Sequence, residues 1–390
     1  MERERYDEAA IASDLSEKMV LLAGPRQVGK TTLARRLAAR RETGLYLSWD
    51  NRADRAEIRA ARWPGSKALV VLDELHKWRG WKGWLKGEFD KHRDRLRFLV
   101  TGSARLDIYR RGGDSLQGRY HHHRLHPFSC AEALAARHAL PQPGQELQVP
   151  AGGDAGLVAA LLRLGGFPEP FLAQSDRALR RWQKERLERF LREDVRDLEP
   201  IRDLSSFELL ADLLPGRVGA LLSLNALRED LEVSHRALTH WMGILETMYH
   251  VYRLRPFGGP RARSLSKMPK AYLWDWSLVP DPAARFENLL AGHLLKLCHF
   301  LEDSEGHAVA LHYLRDRAGR ETDFLVTVGR KPWFAVEAKL SETRVDPSLR
   351  HFKERLGIPW AYQVVLDATR DFVEDGVRVV PARQFLAALV

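Results

Sequence analysis

The sequence predicts an α/β protein, and three observations carry that prediction. A short apolar run, Met19 to Ala23 (MVLLA), leads into the loop GPRQVGKTT at Gly24 to Thr32 and then into a helical stretch, Thr32 to Arg40 (TLARRLAAR). Further apolar runs of strand length follow at Leu45 to Trp49, Ala68 to Leu72 and Arg97 to Thr101. Later in the chain, a strand bearing Asp323 precedes a second strand bearing Glu337 and Lys339, after a helix with Glu287.

The loop fits the pattern of a glycine, four variable residues, Gly-Lys and Ser or Thr. Gly24 is followed by Pro25, Arg26, Gln27 and Val28, then by Gly29, Lys30 and Thr31, with Thr32 entering the helix. A phosphate chain needs backbone N–H groups aimed inward, and glycines stand where side chains would block the approach. The helix N-terminus behind the loop favours anions. In this P-loop reading Lys30 reaches the β- and γ-phosphates of ATP, and Thr31 offers its hydroxyl to Mg²⁺.

The third run ends in Asp73-Glu74, a Walker B arrangement in which Asp73 holds the Mg²⁺ shell and Glu74 polarises the attacking water. The fourth ends in Thr101-Gly102-Ser103. Either Thr101 or Ser103 senses the γ-phosphate there, or the segment is a glycine turn with small polar residues. Arg105 and Arg119 are both candidates for a guanidinium at the transferring phosphate, acting in cis or on a neighbouring subunit of a homo-oligomer.

A chain of 390 residues exceeds one ordinary core and points to two or three domains, and an apolar content of 45% is that of a globular protein. No apolar run approaches the roughly 20 residues of a membrane span, and the N-terminal MERERYDEAA is charged where a signal peptide is apolar. The expectation is a cytoplasmic protein with no membrane partner. Cys130 and Cys298 stand far apart and indicate neither a disulfide framework nor a zinc site. The net charge of +10 suits an anionic partner such as nucleic acid. His121, His122 and His123 are consecutive, so a strand throws alternate rings to opposite faces and they do not converge on a metal. Trp78, Trp81 and Trp84 recur at helical spacing among Lys77, Lys82 and Lys86, which reads as core or interface packing ahead of base stacking.

GPRQVGKTT, VVLDELHKW, FLVTGSAR, LQGRY and HPFS occur in the order and with similar spacing to those of bacterial and archaeal AAA-type ATPases that carry a C-terminal domain of unknown function, DUF4143. The chain resembles that family over essentially its whole length, most tightly as far as HPFS. The resemblance implies a RecA/AAA-like P-loop core and favours Arg119 over Arg105. It also implies that the C-terminal domain is similar to a nuclease-like fold.

Pro141 to Asp154 (PQPGQELQVPAGGD) reads as a linker, so residues 1–138 are expected to form the ATPase domain. Residues 155–215 read as a helical connecting region. In it, Gly165-Gly166-Phe167-Pro168 makes a turn that resembles a signature of the family, and Arg180 to Glu199 reads as a charged amphipathic helix around Trp182, Leu187, Phe190, Leu191 and Val195. Residues 216–268 follow the order of a winged helix-turn-helix: a helix from Leu221 to Leu231, a second from Ser234 to Met248, then a strand at Val251 to Leu254 entering a hairpin. Residues 216–270 hold nine basic and four acidic residues. The second helix offers His235, Arg236, Thr239 and His240 to DNA, and the wing offers Arg255, Arg261 and Arg263; the same scaffold also joins subunits.

In residues 270–390, Arg285 to Lys296 reads as a helix with Glu287, Asp323 begins a strand, and Pro332 to Leu340 is a strand with Glu337 and Lys339 on one face. That order is the PD-(D/E)XK nuclease pattern. It expects Asp323 and Glu337 to hold Mg²⁺ while Lys339 positions the hydrolytic water, or else a nuclease-like fold that binds nucleic acid or scaffolds without cutting. The functional expectation is an Mg²⁺-dependent ATPase associated with DNA; the alternative is a nucleotide-controlled switch for a protein partner.

Overall fold

The computed structural model describes residues 4–102, 116–135, 140–189, 201, 203–258, 268–341 and 344–390. Its contacts divide the chain into two units, residues 1–126 with 247–249 and 303–306, and residues 127–246, 250–302 and 307–390.

In the first unit β1 (Met19–Ala23), β2 (Gly44–Ser48), β3 (Ala68–Asp73), β4 (Leu96–Thr101) and β5 (Tyr120–Arg124) form a parallel sheet in the order β2-β3-β4-β1-β5. β1 and β3 are buried along their whole length, which is why they read as unbroken apolar runs instead of alternating ones. Parallel pairing brings every C-terminal strand end to one edge, where open α/β sheets bind ligands. Asp73 and Thr101 are register partners there, and Thr101 is also opposite Leu22.

The helix Lys30–Ala39 follows β1 and buries Leu33, Ala34, Leu37 and Ala38. Arg52–Ala60 starts at Asn51, whose side chain accepts the N–H groups of Ala53 and Asp54. The tryptophans pack: Trp81 is buried in the core cluster, and Trp78 stacks on Trp49 with ring centroids 4.9 Å apart. Short of the P-loop strand, Glu8–Asp14 forms one further helix.

The second unit is built on an eight-stranded mixed sheet, ordered β12-β13-β11-β10-β9-β8-β6-β7. Its strands are β6 (Val251–Pro256), β7 (Lys270–Leu273), β8 (Val309–Arg315), β9 (Glu321–Val328), β10 (Lys331–Lys339), β11 (Trp360–Val365), β12 (Phe372–Glu374) and β13 (Val377–Pro381). The hairpin expected as a wing is β6 with β7, paired antiparallel from Val251↔Leu273 to Leu254↔Lys270. β6 also pairs parallel to β8 through Arg255 and Pro256, so the hairpin is continuous with the sheet that carries Asp323 and Glu337.

Helix bounds differ from the sequence reading for identifiable reasons. The helix expected over Leu221 to Leu231 runs Leu224–Asp230, because Ser223 caps it while Leu221 bridges to Lys270. The helix with Glu287 extends over Pro282–Glu305, since Leu297, Cys298, Phe300 and Leu301 continue its buried face past Lys296. The charged helix is described over Asp176–Arg189; Phe190, Leu191 and Val195 lie outside the described residues. The Pro/Gly-rich stretch 141–154 packs on the sheet: Leu147 is buried, and the Trp333 Nε1 donates to the Gln145 carbonyl at 2.6 Å.

Candidate functional site

The P-loop backbone takes the strained course that its glycines permit. Gly29 has φ 101° and caps the helix Lys30–Ala39 with no side-chain hydrogen bond to its first turn. Gly24 has φ 142°, and a Cβ there would lie 2.4 Å from the Leu125 carbonyl oxygen. Gln27 is left-handed as well, with φ 63°. Lys30 is buried and its Nζ donates to the carbonyls of Gly24 at 2.9 Å and Pro25 at 2.6 Å.

Asp73 gathers hydroxyl donors from three elements. Thr31 Oγ1 donates to Oδ2 at 3.1 Å, Tyr46 Oη to the same oxygen at 2.5 Å, and Thr101 Oγ1 to Oδ1. The P-loop threonine, the Walker B carboxylate and Thr101 therefore meet at one point. Tyr46 was not foreseen from the sequence; only its position two residues before the end of a strand beside β3 offered a signal. Burial, and then the Asp73 carboxylate, push the Tyr46 phenol up to about 12, so it stays a donor. Glu74 stands in the left-handed region at φ 57°, with its side chain 3.3 Å from Lys77 Nζ and 3.5 Å from His76 Nε2. Ser103 and Arg105 lie outside the described residues.

Arg119 is held by a bidentate pair, Nε to Asp90 Oδ1 at 2.7 Å and Nη2 to Asp90 Oδ2 at 3.0 Å, at the start of β5 and away from the strand ends that carry Asp73. His123 stands between Asp7 at 3.1 Å and Asp14 at 2.8 Å. Burial pulls its imidazolium down, but the two carboxylates outweigh this and hold it at about 9.

In the second unit β9 and β10 bring Asp323 and Glu337 together. The Asp323 N–H donates to Glu337 Oε2 at 3.3 Å, and the Ala338 N–H to Asp323 Oδ2 at 3.0 Å. Lys339 Nζ donates to Glu337 Oε1 at 2.8 Å and to Asp346 Oδ2 at 2.9 Å. Asp346 in turn caps the helix Pro347–Leu356 and takes a hold on Gln363 through its own N–H at 2.8 Å.

Lys270, absent from the sequence reading, enters the cluster from β7. Its buried Nζ lies 2.7 Å from Glu321, 3.2 Å from Glu287 and 3.5 Å from Asp323, and Tyr272 Oη donates to Glu287 Oε1 at 2.6 Å. Burial, and then the neighbouring Asp323, raise the carboxyls of Glu287, to about 7, and of Glu337. Burial lowers and the surrounding carboxylates raise Lys270, with the carboxylates prevailing. All four residues of the nuclease pattern are thus adjacent, yet the Asp323 and Glu337 oxygens already bind an ammonium or a backbone N–H. Among the described residues no group of three or more His, Cys, Asp or Glu is arranged to hold a metal. Lys270 and Lys339 supply cationic charge beside these carboxylates.

In the helix His235–Thr247, Leu238, Trp241, Met242, Ile244 and Leu245 face the core, leaving His235, Arg236, Thr239 and His240 exposed together. Arg255 on β6 is exposed; Arg261 and Arg263 lie outside the described residues. Among the described residues no helix is long and apolar enough to cross a membrane.

Comparison with known proteins matches three family models: an AAA domain over residues 16–134, a domain of unknown function, DUF8612, over residues 156–285, and the domain of unknown function DUF4143 over residues 283–385. Uncharacterized proteins of Mycobacterium tuberculosis and Mycobacterium bovis are each 24% identical over 379 residues, covering 94% of this chain and 81% of theirs. Among solved structures, the Thermotoga maritima RuvB Holliday junction branch migration motor matches at 19% identity and TM-score 0.29, covering 63% of this chain and 86% of that one. Caenorhabditis elegans PCH-2 matches at 14% identity and TM-score 0.24, covering 61% and 66%. From the P-loop and Asp73 at one edge of a five-stranded parallel sheet, and from the domains matched along its length, the chain is an AAA-type P-loop protein with a C-terminal DUF4143 domain.

Proposed function

We propose that the protein is an Mg²⁺-dependent ATPase that associates with DNA through its helix-turn-helix, and that its nuclease-like domain is a non-catalytic scaffold. The observation that carries the ATPase reading is the convergence of Thr31 and Thr101 on Asp73 beside the P-loop. An all-oxygen donor set and an uncapped helix N-terminus fit magnesium and a nucleotide polyphosphate. Bound Mg²⁺ would neutralise charge on the β- and γ-phosphate oxygens. Thr31 and Asp73 would hold it, and Tyr46 and Thr101 orient the Asp73 carboxylate for that task. Lys30 exchanges its loop carbonyls for phosphate oxygens. Glu74 is the base that accepts a proton from the attacking water, which requires it to leave Lys77.

The exposed His235, Arg236, Thr239 and His240 support DNA contact, as does the excess of basic residues in 216–270. The internal ammonium of Lys270 favours a scaffold over a cutting site in the DUF4143 domain.

ATP turnover by the wild type and Glu74→Gln, with and without duplex and single-stranded DNA, tests the reading, with the DNA followed on a gel. Turnover that DNA stimulates, that salt suppresses and that Glu74→Gln loses is the expected result. The double variant Arg236→Ala with His240→Ala should weaken DNA binding about tenfold while leaving DNA-free turnover intact. Turnover indifferent to DNA moves the protein to the nucleotide-controlled switch. Mg²⁺-dependent cleavage abolished by Asp323→Ala or Lys339→Ala overturns the scaffold.

A further inference from the structure

We infer that the segment Glu4–Asp14, and Arg5 above all, positions the nucleotide site by holding the P-loop from behind in the form that accepts phosphate. The inference rests on the nucleotide-binding reading above. The matched AAA domain begins at residue 16, so this segment lies outside it.

Arginine is rarely buried without a partner, and Arg5 is 6% exposed. Its guanidinium fork bonds two main-chain carbonyls distant in sequence: Nη1 donates to Val28 at 2.7 Å and Nη2 to His126 at 2.5 Å. Val28 is a residue of the P-loop itself. A trans peptide points its C=O and N–H in opposite directions, so turning the Val28 carbonyl toward Arg5 turns the Gly29 N–H away from it. A carbonyl tied outward leaves its N–H for an anion inside the loop, which is what a phosphate-binding nest requires.

The other half of the fork acts on the segment that follows β5. The Tyr6 hydroxyl donates to the Arg124 carbonyl at 2.8 Å and accepts the His126 N–H at 3.2 Å. Arg5 and Tyr6 together hold residues 124–126, the stretch whose Leu125 carbonyl lies against Gly24. Both P-loop glycines are therefore framed by one dipeptide. The adjoining helix Glu8–Asp14 and its cap residue Asp7 anchor that dipeptide. Glu8 is buried and pairs with Arg36 and Arg40, the latter at 2.7 Å, on and just beyond the helix behind the P-loop. Asp7 and Asp14 clasp His123 on β5. Released from Arg5, the Val28–Gly29 peptide is free to rotate and one donor to phosphate is lost.

The test is titration of Mg²⁺ and a fluorescent N-methylanthraniloyl ATP into the full chain for the wild type, Arg5→Met, Arg5→Lys and Lys30→Ala, with a thermal melt of each variant. Binding by the wild type and none by Lys30→Ala are expected. Arg5→Met should weaken binding about tenfold, the scale of one charge-assisted hydrogen bond, and raise KM while kcat changes little. Arg5→Lys should fall between, since one ammonium does not span two carbonyls as a planar fork does. A folded Arg5→Met with wild-type affinity overturns the inference. Should Arg5→Met melt below the titration temperature, Arg5→Lys decides: wild-type affinity in that variant overturns it equally. A wild type that fails to bind the probe takes down the nucleotide reading itself, and the role of Arg5 with it.

Discussion

At Gly24 the backbone leaves space for a hydrogen only. A methyl group there would meet the Leu125 carbonyl oxygen at 2.4 Å, and φ 142° disfavours any L side chain. Gly24→Ala should cost about 2 kcal/mol or more in urea unfolding and abolish nucleotide binding in titration. Lys270 is the corresponding single point in the second unit, where it compensates Glu287, Glu321 and Asp323. Removing one partner of a buried ionic cluster strands the others, so Lys270→Met should lose about 3–5 kcal/mol at pH 8. The sign with pH is set by the carboxyls. Burial, and then Asp323, already raise Glu287 to about 7, and loss of the ammonium raises it further. A carboxyl raised in the fold destabilises it increasingly as pH rises through that value, so acidification from pH 8 to pH 5 should return part of the loss. Urea midpoints at both pH values check this; a deficit equal at the two would contradict it.

Among the elements, the helix Glu8–Asp14 docks through a group that titrates. His123 on β5 faces Asp7 and Asp14 from that helix, with His122 and Arg124 beside it in the strand. Its folded value of about 9 exceeds the ordinary 6.5. The stabilisation is therefore complete below about pH 6.5 and disappears as pH rises through about 9, an amount of up to about 3 kcal/mol. Hydrogen exchange of residues 4–14 should show protection falling between pH 7 and pH 9.5, corrected for the intrinsic rate, and His123→Gln should flatten that slope. The helices Leu224–Asp230 and His235–Thr247 and the strand after them were legible as elements, because apolar spacing and the serine caps are local signals. That β6 also pairs with β8 was not, because the pairing joins segments about sixty residues apart and is fixed by sheet order.

For the molecule as a whole, nucleotide and metal should appear as stability. Mg²⁺ with ATP at a hundred times its dissociation constant should add about 2.7 kcal/mol to the unit that holds the P-loop, and EDTA or Lys30→Ala should remove most of that gain in a thermal melt. How far the sequence led depends on the range over which each feature is encoded. GPRQVGKTT, the Asp73-Glu74 strand end and the Glu-x-Lys strand each lie within a few consecutive residues, where periodicity and turn chemistry act, and the fold retains each on the element expected. Thr101 was legible as a candidate for the same reason, standing at a strand end. The partners that govern those residues lie far off in the chain: Arg5 is 23 positions from Val28, Tyr46 is 27 from Asp73, and Lys270 is 53 from Asp323. No local pattern encodes such meetings. Strand order and register choose which ammonium or hydroxyl reaches a buried carboxylate, so the letters alone placed the acids while packing selected their counterions.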